Sequence, residues 1–450
     1  MVILWTDALI YLLLISMLGL VFYMRSRDHM QRPLRKLAQS KIGVASLVIL
    51  LFFVVIGLLD SIHFKPTNTK QTEIISVLDY WATNLREHSE KTYSAPFSTH
   101  LYSKEIIVAP DGLVYWDYPR LEFGGRHIYL PERQWLPDVL KKIVFGLSQG
   151  VVIAGLLFVG FLTTRYVVLR KKTGLLFLSS PTKTALIVAG VIIAITYCLV
   201  YLSAYYHVFG TDKVGEDVFY QAIKSIRTGL VLGTLTTLIM LPMAIGFGIL
   251  AGFFGGWIDD IIQYIYTTLN AIPSVLLIAA SILMVQVYMA SHEQEFTSII
   301  VRADMRLLFL CLILGVTNWT GLCRLLRAET LKLREMEYVQ AAHALGVKKS
   351  MILIRHILPN VMHIVLISVV LDFSSLVLAE AVLSYINIGV DSTTYSWGNM
   401  INGARLEMAR EPIVWWSLSA AFLFMFTLVL AANLFADTVQ DAFDPRRSAD

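Results

Sequence analysis

Residues 331–360 read Leu-Lys-Leu-Arg-Glu-Met-Glu-Tyr-Val-Gln-Ala-Ala-His-Ala-Leu-Gly-Val-Lys-Lys-Ser-Met-Ile-Leu-Ile-Arg-His-Ile-Leu-Pro-Asn. The pattern predicts a helix over roughly 335–345, ended by Gly346 in the manner of a C-cap glycine. A second short helix is predicted to run towards Pro359. Ala341, Ala342 and Ala344 leave a low surface flanked by charges, which a partner protein can approach closely. Apolar runs at 306–326 and 361–386 flank the stretch, each long enough to cross a bilayer. The stretch is therefore a charged link between two predicted membrane spans.

The same reading extends over the whole chain. Of 450 residues, 56% are hydrophobic and 16% charged, with a mean hydropathy of +0.65. Soluble domains carry about a quarter charged residues, so the composition predicts an all-α polytopic membrane protein. Runs of spanning length fall at 4–24, 42–60, 143–168, 185–206, 228–250, 260–290, 306–326, 361–386 and 412–435, nine in all. In the first, the positive charges follow the apolar run and no small-residue cleavage site appears, so it is read as a retained helix rather than a signal peptide. The net charge of +4 is too small to suggest nucleic acid. Cys198, Cys311 and Cys323 lie in or beside apolar runs without metal-ligand spacing and are expected to be small core residues.

Lys and Arg in the short loops set the orientation. Clusters occur at 25–41 (Arg25, Arg27, Arg32, Arg35, Lys36, Lys41), at 165–183 (Arg165, Arg170, Lys171, Lys172, Lys183) and at 324–355. Nine spans put all three on the cytoplasmic side, together with Arg446 and Arg447 of the tail, and leave the N-terminus outside. The 251–259 loop carries no positive charge and does not contribute.

Residues 61–142 form the one long polar segment and are expected to be a small α+β extracytoplasmic domain after the second span. Trp81, Tyr93, Tyr102, Tyr115, Trp116, Tyr118 and Trp135 argue that it is folded. Lys104–Tyr118 reads as a hairpin turning at Asp111-Gly112, and 72–88 as helix. The organisation expected is two helices in 1–60, the polar domain 61–142, a third span and basic loop in 143–184, and six spans in 185–447.

Within 331–360, Gln340-Ala341-Ala342, Gly346 and Leu358-Pro359 resemble the cytoplasmic EAA signature of ABC importer permeases, with Gln340 in place of the usual Glu. Arg355-His-Ile-Leu-Pro-Asn360 is similar to a run in the dipeptide/oligopeptide/nickel branch of that family. So are Phe209-Gly210-Thr211-Asp212 with Gly215 and Asp217, Ala251–Asp259, Glu380, Ser384, Gly389, Ser396-Trp397-Gly398 and Asp441–Arg446. The resemblance covers about 185–447. It implies a non-enzymatic permease subunit of the bacterial inner membrane, forming a translocation pathway for peptides by alternating access. It further implies a second permease subunit, two cytoplasmic ABC ATPase subunits and an extracytoplasmic solute-binding protein as partners. Tyr338, Gln340, Ala341, Ala342, Gly346, Leu358 and Pro359 are implied to contact the ATPase. No Gly-x4-Gly-Lys-Ser/Thr phosphate loop occurs in the chain, so ATP and Mg are expected on partner subunits and no cofactor on this one.

Asp372 and Glu380 fall inside the predicted span 361–386, where an ionisable group is costly unless it faces a cavity or has a partner. Both are candidates for lining the translocation cavity; for Glu380 the family position favours a structural role. His343, His356 and His363 lack carboxylate or thiol companions at ligand spacing, and no metal site is expected. Gly246, Gly248, Gly252, Gly255 and Gly256 are explained by close helix packing rather than by a phosphate cradle. Asp259 and Asp260 are expected to mark a helix start beside the membrane. Other readings stay open: nickel chelate or oligosaccharide cargo in the same class, a secondary transporter, or a membrane sensor or assembly protein.

Overall fold

The computed structural model describes residues 4–25, 28–65, 74–108, 114–169, 179–292, 294 and 298–443. Helices come in the order α1 (Trp5–Arg25), α2 (Asp28–Gln39), α3 (Lys41–Ser61), α4 (Val77–Trp81), α5 (Thr83–Glu87), α6 (Pro131–Leu169), α7 (Ser180–Ser203) and α8 (Val218–Phe254). Then follow α9 (Gly256–Ala271), α10 (Ser274–Ser291), α11 (Ile299–Arg334), α12 (Glu337–Ala344), α13 (Lys349–Ile352), α14 (Leu358–Tyr385), α15 (Trp397–Glu407) and α16 (Trp416–Phe443). The fold is mostly helical. Among the described residues, seven helices are long and apolar enough to cross a membrane: α3, the 133–165 part of α6, α7, α8, α10, the continuous 349–385 helix and α16.

Each of the nine predicted runs contains helix, but those at 4–24 and 306–326 are not among the seven helices of spanning length and apolarity, and one further run needs correction. The 260–290 run is two helices, because Pro273 lacks the amide hydrogen a continuing helix needs and pushes Ile272 into extended backbone (φ −91°, ψ 131°). The predicted turn at Asp111-Gly112, and the basic residues Arg27, Arg170, Lys171, Lys172, Arg446 and Arg447, lie outside the described residues.

Two compact units divide the chain. One holds 35–228 and 395–434, and α6, α7 and α3 pack together within it. The α6–α7 seam is close because its residues are small: a Cβ at Gly150 would stand 2.8 Å from the Ala194 backbone. Such small-residue seams let helix backbones approach where lipid offers no competing hydrophobic drive.

The polar segment belongs to this unit and has the two small sheets and short helices of an α+β elaboration. Strand β1 (His63–Phe64) pairs with β2 (Ile75–Ser76), and β3 (Glu105–Val108) with β4 (Val114–Asp117) in the register Glu105↔Asp117. The predicted 72–88 helix is interrupted. Its first helix is set by a capping box, in which Ser76 Oγ accepts from Asp79 N and Asp79 accepts from Ser76 N; α4 ends at Ala82 before α5 begins.

A buried ion cluster ties this segment to α8. Lys224 Nζ lies 2.6 Å from Asp60 Oδ1 and 2.8 Å from Asp79 Oδ1, and Tyr220 donates to Asp79. Burial opposes the Asp79 carboxylate, but Lys224, with the Ser76 amide and the Tyr220 hydroxyl, holds it below its usual range.

The Phe209–Asp217 turn is where the polar segment is stitched down. Ser94 N donates to Thr211 Oγ1 (2.7 Å), Thr211 N to Ser94 O (3.0 Å) and Trp416 Nε1 to Thr211 O (2.9 Å). Asp217 caps α8 by accepting from Phe219 N and Tyr220 N. Its other oxygen lies 2.7 Å from His207 Nδ1. Glu90 approaches the same imidazole at 3.3 Å while accepting the amides of Glu122, Phe123 and Gly124. Burial works against a charged imidazole, but Asp217 and Glu90 outweigh it and raise the His207 pKa to about 9. Burial likewise opposes the Glu90 carboxylate, and His207 with the three amides pulls its pKa down to about 2. Gly215 is required here: its φ is +81°, and a Cβ would fall 1.8 Å from the Glu90 carbonyl oxygen.

The second unit holds 3–34, 229–394 and 435–450. In it α1 is fastened to α11 by Thr6, which donates from its amide (3.2 Å) and its hydroxyl to Asp304. Its core joins buried Met240, Trp319, Leu326, Val339, Ile352 and Val365. A Cβ at Gly248 would meet Cys323 O at 2.8 Å, and one at Gly252 would meet Thr330 Cβ at 2.6 Å. These two glycines let α8 and α11 cross closely, as the sequence suggested; Gly246 faces open space instead. All three cysteines are buried.

Candidate functional site

The 331–360 stretch sits wholly within the second unit. Lys332 and Arg334 stand in the last turn of α11, and α12 follows as a two-turn helix. Leu345 caps α12, and Gly346 turns the chain at φ +76°. Its amide donates to His343 O (3.0 Å), and Val347 N donates to Ala342 O (3.1 Å), so the orphan carbonyls of the last turn are satisfied. Lys349 then begins α13, which passes through a π turn at Leu353–Ile357 into α14, with Pro359 in that helix's first turn.

One face of α12 is spent on the chain's own core. Val339 and Ala342, three apart, are both buried. Ala342 is therefore corrected from a partner-facing residue to a core residue, 8% exposed and packed with Val339 against the inner cluster. The opposite face is open: Tyr338, Gln340, Ala341, His343 and Ala344 are exposed, and Leu345 is 83% exposed. Tyr338 accepts from Asn360 Nδ2 (3.0 Å), which fixes α12 against the head of α14. Among the described residues the Gln340 side chain reaches Glu335 alone, at 3.4 Å. Leu358 is half-buried beside the core, and Pro359 is exposed.

Beside α12 lies an open cleft of about 330 Å³, lined by residues that include Phe253, Phe254, Arg334, Glu335, His343 and Lys349. Sequence reasoning did not connect the Phe253-Phe254 end of α8 with this stretch. The signal was present in Gly255-Gly256, whose successive φ values of +64° and +55° turn α9 away and leave the end of α8 standing beside α12. Arg334 Nη1 donates to Phe253 O (3.4 Å), and Lys349 Nζ lies 5.6 Å from the centre of the Phe254 ring. Arg327 grips Asp259 with two bonds of 2.5 and 2.7 Å, and that guanidinium holds the Asp259 carboxyl below its usual range. Asp259 is thus a helix-start residue, as expected, with a second task of clamping α9 to α11.

Asp372 and Glu380 part company. Glu380 is buried and accepts from Ser384 Oγ (2.7 Å), whose hydroxyl stands where a Cβ on Gly389 would be. This is a packed polar lock at the end of α14. Asp372 is half-buried, and its carboxylate has no partner among the described residues.

Residues 244–449 match the family described as binding-protein-dependent transport system inner membrane component. The chain is 30% identical over 244 residues to the dipeptide transport system permease protein DppC of Lactococcus lactis subsp. cremoris, covering 54% of this chain and 65% of that protein. It is 31% identical over 240 residues to the oligopeptide transport system permease protein OppC of Bacillus subtilis, covering 53% and 72%. A putative peptide permease protein of Brucella suis is 33% identical over 245 residues, covering 53% and 73%. With close helix crossings at Gly248 and Gly252 and a capped link helix at 337–344, the chain belongs to the family of binding-protein-dependent transport system inner membrane components.

Proposed function

We propose that this chain is the transmembrane permease subunit of an ATP-driven importer of peptides, passing solute by alternating access while separate ATPase subunits hydrolyse ATP. The observation that carries the reading is the split character of α12, one face anchored in the core and the other open beside a charged, aromatic-walled cleft. A rigidly seated helix transmits a push from a partner to α11 and α14 as a rigid-body shift, whereas a floppy loop would absorb it. Peptides as cargo are supported by the names of the relatives. The partners are a second permease, two ATPase subunits and an external solute-binding protein. The chain sits in the inner membrane with its N-terminus outside and α12 cytoplasmic.

Asp372 is the proposed cavity residue, since an acid in a membrane helix without an internal partner needs water or a cationic ligand to be tolerated. Asp372→Asn is expected to lower uptake of zwitterionic or cationic peptides several-fold, with assembly intact. Uptake assays across peptides of different charge decide the point, and equal effects on all of them would assign Asp372 a structural role.

The polar segment 61–142 is proposed to be external and to meet the solute-binding protein or the second permease. Replacing 66–136 with a short Gly/Ser linker is expected to abolish docking and uptake in an inserted protein. Unchanged docking and transport would leave the segment a passive brace.

A further inference from the structure

The first twelve residues of α6 precede the predicted apolar run at 143–168 and extend it by about 18 Å. Gln134, Pro137, Asp138 and Lys141 recur on one stripe of this extension and face His127 and Ile128 across an open pocket of about 320 Å³ that Arg133 also lines. The pocket is pre-formed. Trp135 Nε1 donates to Phe97 O (2.6 Å), Tyr206 donates to Asp138 Oδ2 (2.7 Å), and Lys142 Nζ lies 3.6 Å from the centre of the Tyr205 ring. The one acid in the pocket, Asp138, is already engaged by His127 at 2.7 Å and Lys142 at 3.8 Å. Arg133 and Lys141, in contrast, are exposed and have no acidic partner among the described residues.

The surroundings are those of a membrane surface. Tyr129 (90% exposed), Leu130, Leu136 and Leu140 present apolar side chains to the outside on the same stretch that carries the two unpaired cations. Aromatic and aliphatic groups alternating with cations, directly before a spanning run, suit the headgroup layer of a bilayer rather than bulk water. We propose that this pocket binds the phosphate-bearing headgroup of an anionic phospholipid where α6 enters the membrane, with Arg133 and Lys141 as the charge-pairing residues. The inference requires α6 to lie in a bilayer and does not depend on what the protein transports.

The test uses the full-length protein in phosphatidylcholine nanodiscs carrying a trace of photoreactive phosphatidylglycerol or photoreactive phosphatidylcholine, with the label mapped by mass spectrometry. In the parent, phosphatidylglycerol is expected to label 126–142 several-fold more than phosphatidylcholine, because two cations favour an anionic headgroup over a zwitterionic one. Arg133→Gln with Lys141→Gln is expected to bring the two probes to parity; Arg133→Lys, which keeps the charge, should retain the preference. Both side chains are exposed, so these variants should fold. Equal labelling in the parent, or a preference that survives the double substitution, overturns the proposal. So does loss of the preference in excess inorganic phosphate, which would mark a site for a free anion instead.

Discussion

Ala341→Trp is expected to leave a folded, membrane-inserted protein that no longer co-purifies with its ATPase and transports about tenfold less or worse. Ala341 stands on the open face of α12, so a large ring meets nothing of the chain's own and only holds a partner away. Ala342→Trp is the informative contrast. Its Cβ is in the core with Val339, and overpacking there costs about 1–3 kcal/mol within the chain itself, so lower abundance or melting should accompany any loss of transport. Gly346→Val tests the same surface through the backbone. No atom stands within 4 Å of its missing Cβ, so the penalty is confined to holding φ near +76°, about 1–2 kcal/mol. ATPase pull-down, uptake and thermal stability measured together separate the three. If Ala341→Trp keeps both ATPase association and full transport, α12 is not the coupling surface.

Glu90→Ala is expected to destabilise the first unit by about 3–5 kcal/mol, since it leaves a buried imidazolium short of one carboxylate and three amides without their acceptor. The same cluster sets a pH window. His207 has its pKa raised to about 9, so its contribution is complete below its unfolded value near 6.5 and is lost as pH rises through 9. Glu90 has its pKa lowered to about 2, so its contribution is complete above its unfolded value near 4.5 and is lost as pH falls towards 2. Residues 88–108 and 114–125 should therefore show their highest protection against hydrogen exchange, relative to the intrinsic rate at each pH, between about pH 4.5 and 6.5 and lose protection on the alkaline side. His207→Gln should flatten the alkaline limb. An exchange profile that keeps the same alkaline slope in that variant would show that the cluster does not stabilise the segment.

Membrane character, helix positions and the end of α12 were legible without coordinates because each is a local property. A hydrocarbon slab demands about 20 apolar residues wherever the chain crosses it. Gly346 stops a helix because only a residue lacking Cβ sits cheaply at that φ. Pro273 was equally local, yet its break was read through, since an apolar run looks the same whether its backbone continues or turns.

What the tertiary structure alone decided is which neighbours share a fate. Ala341 and Ala342 are chemically identical and adjacent, and the 100° that a helix turns per residue sends one to the surface and the other into the core. Asp372 and Glu380 are both acids on α14. Ser384 donates to the buried second, whereas the first has no partner among the described residues. His207 and Glu90 carried no signal in the sequence, and Asp217 stood out only as part of a resemblance, until folding brought Glu90 across 117 positions to the imidazole. Pairings of that kind depend on how distant segments pack, and no local pattern of hydropathy, charge or glycine records them.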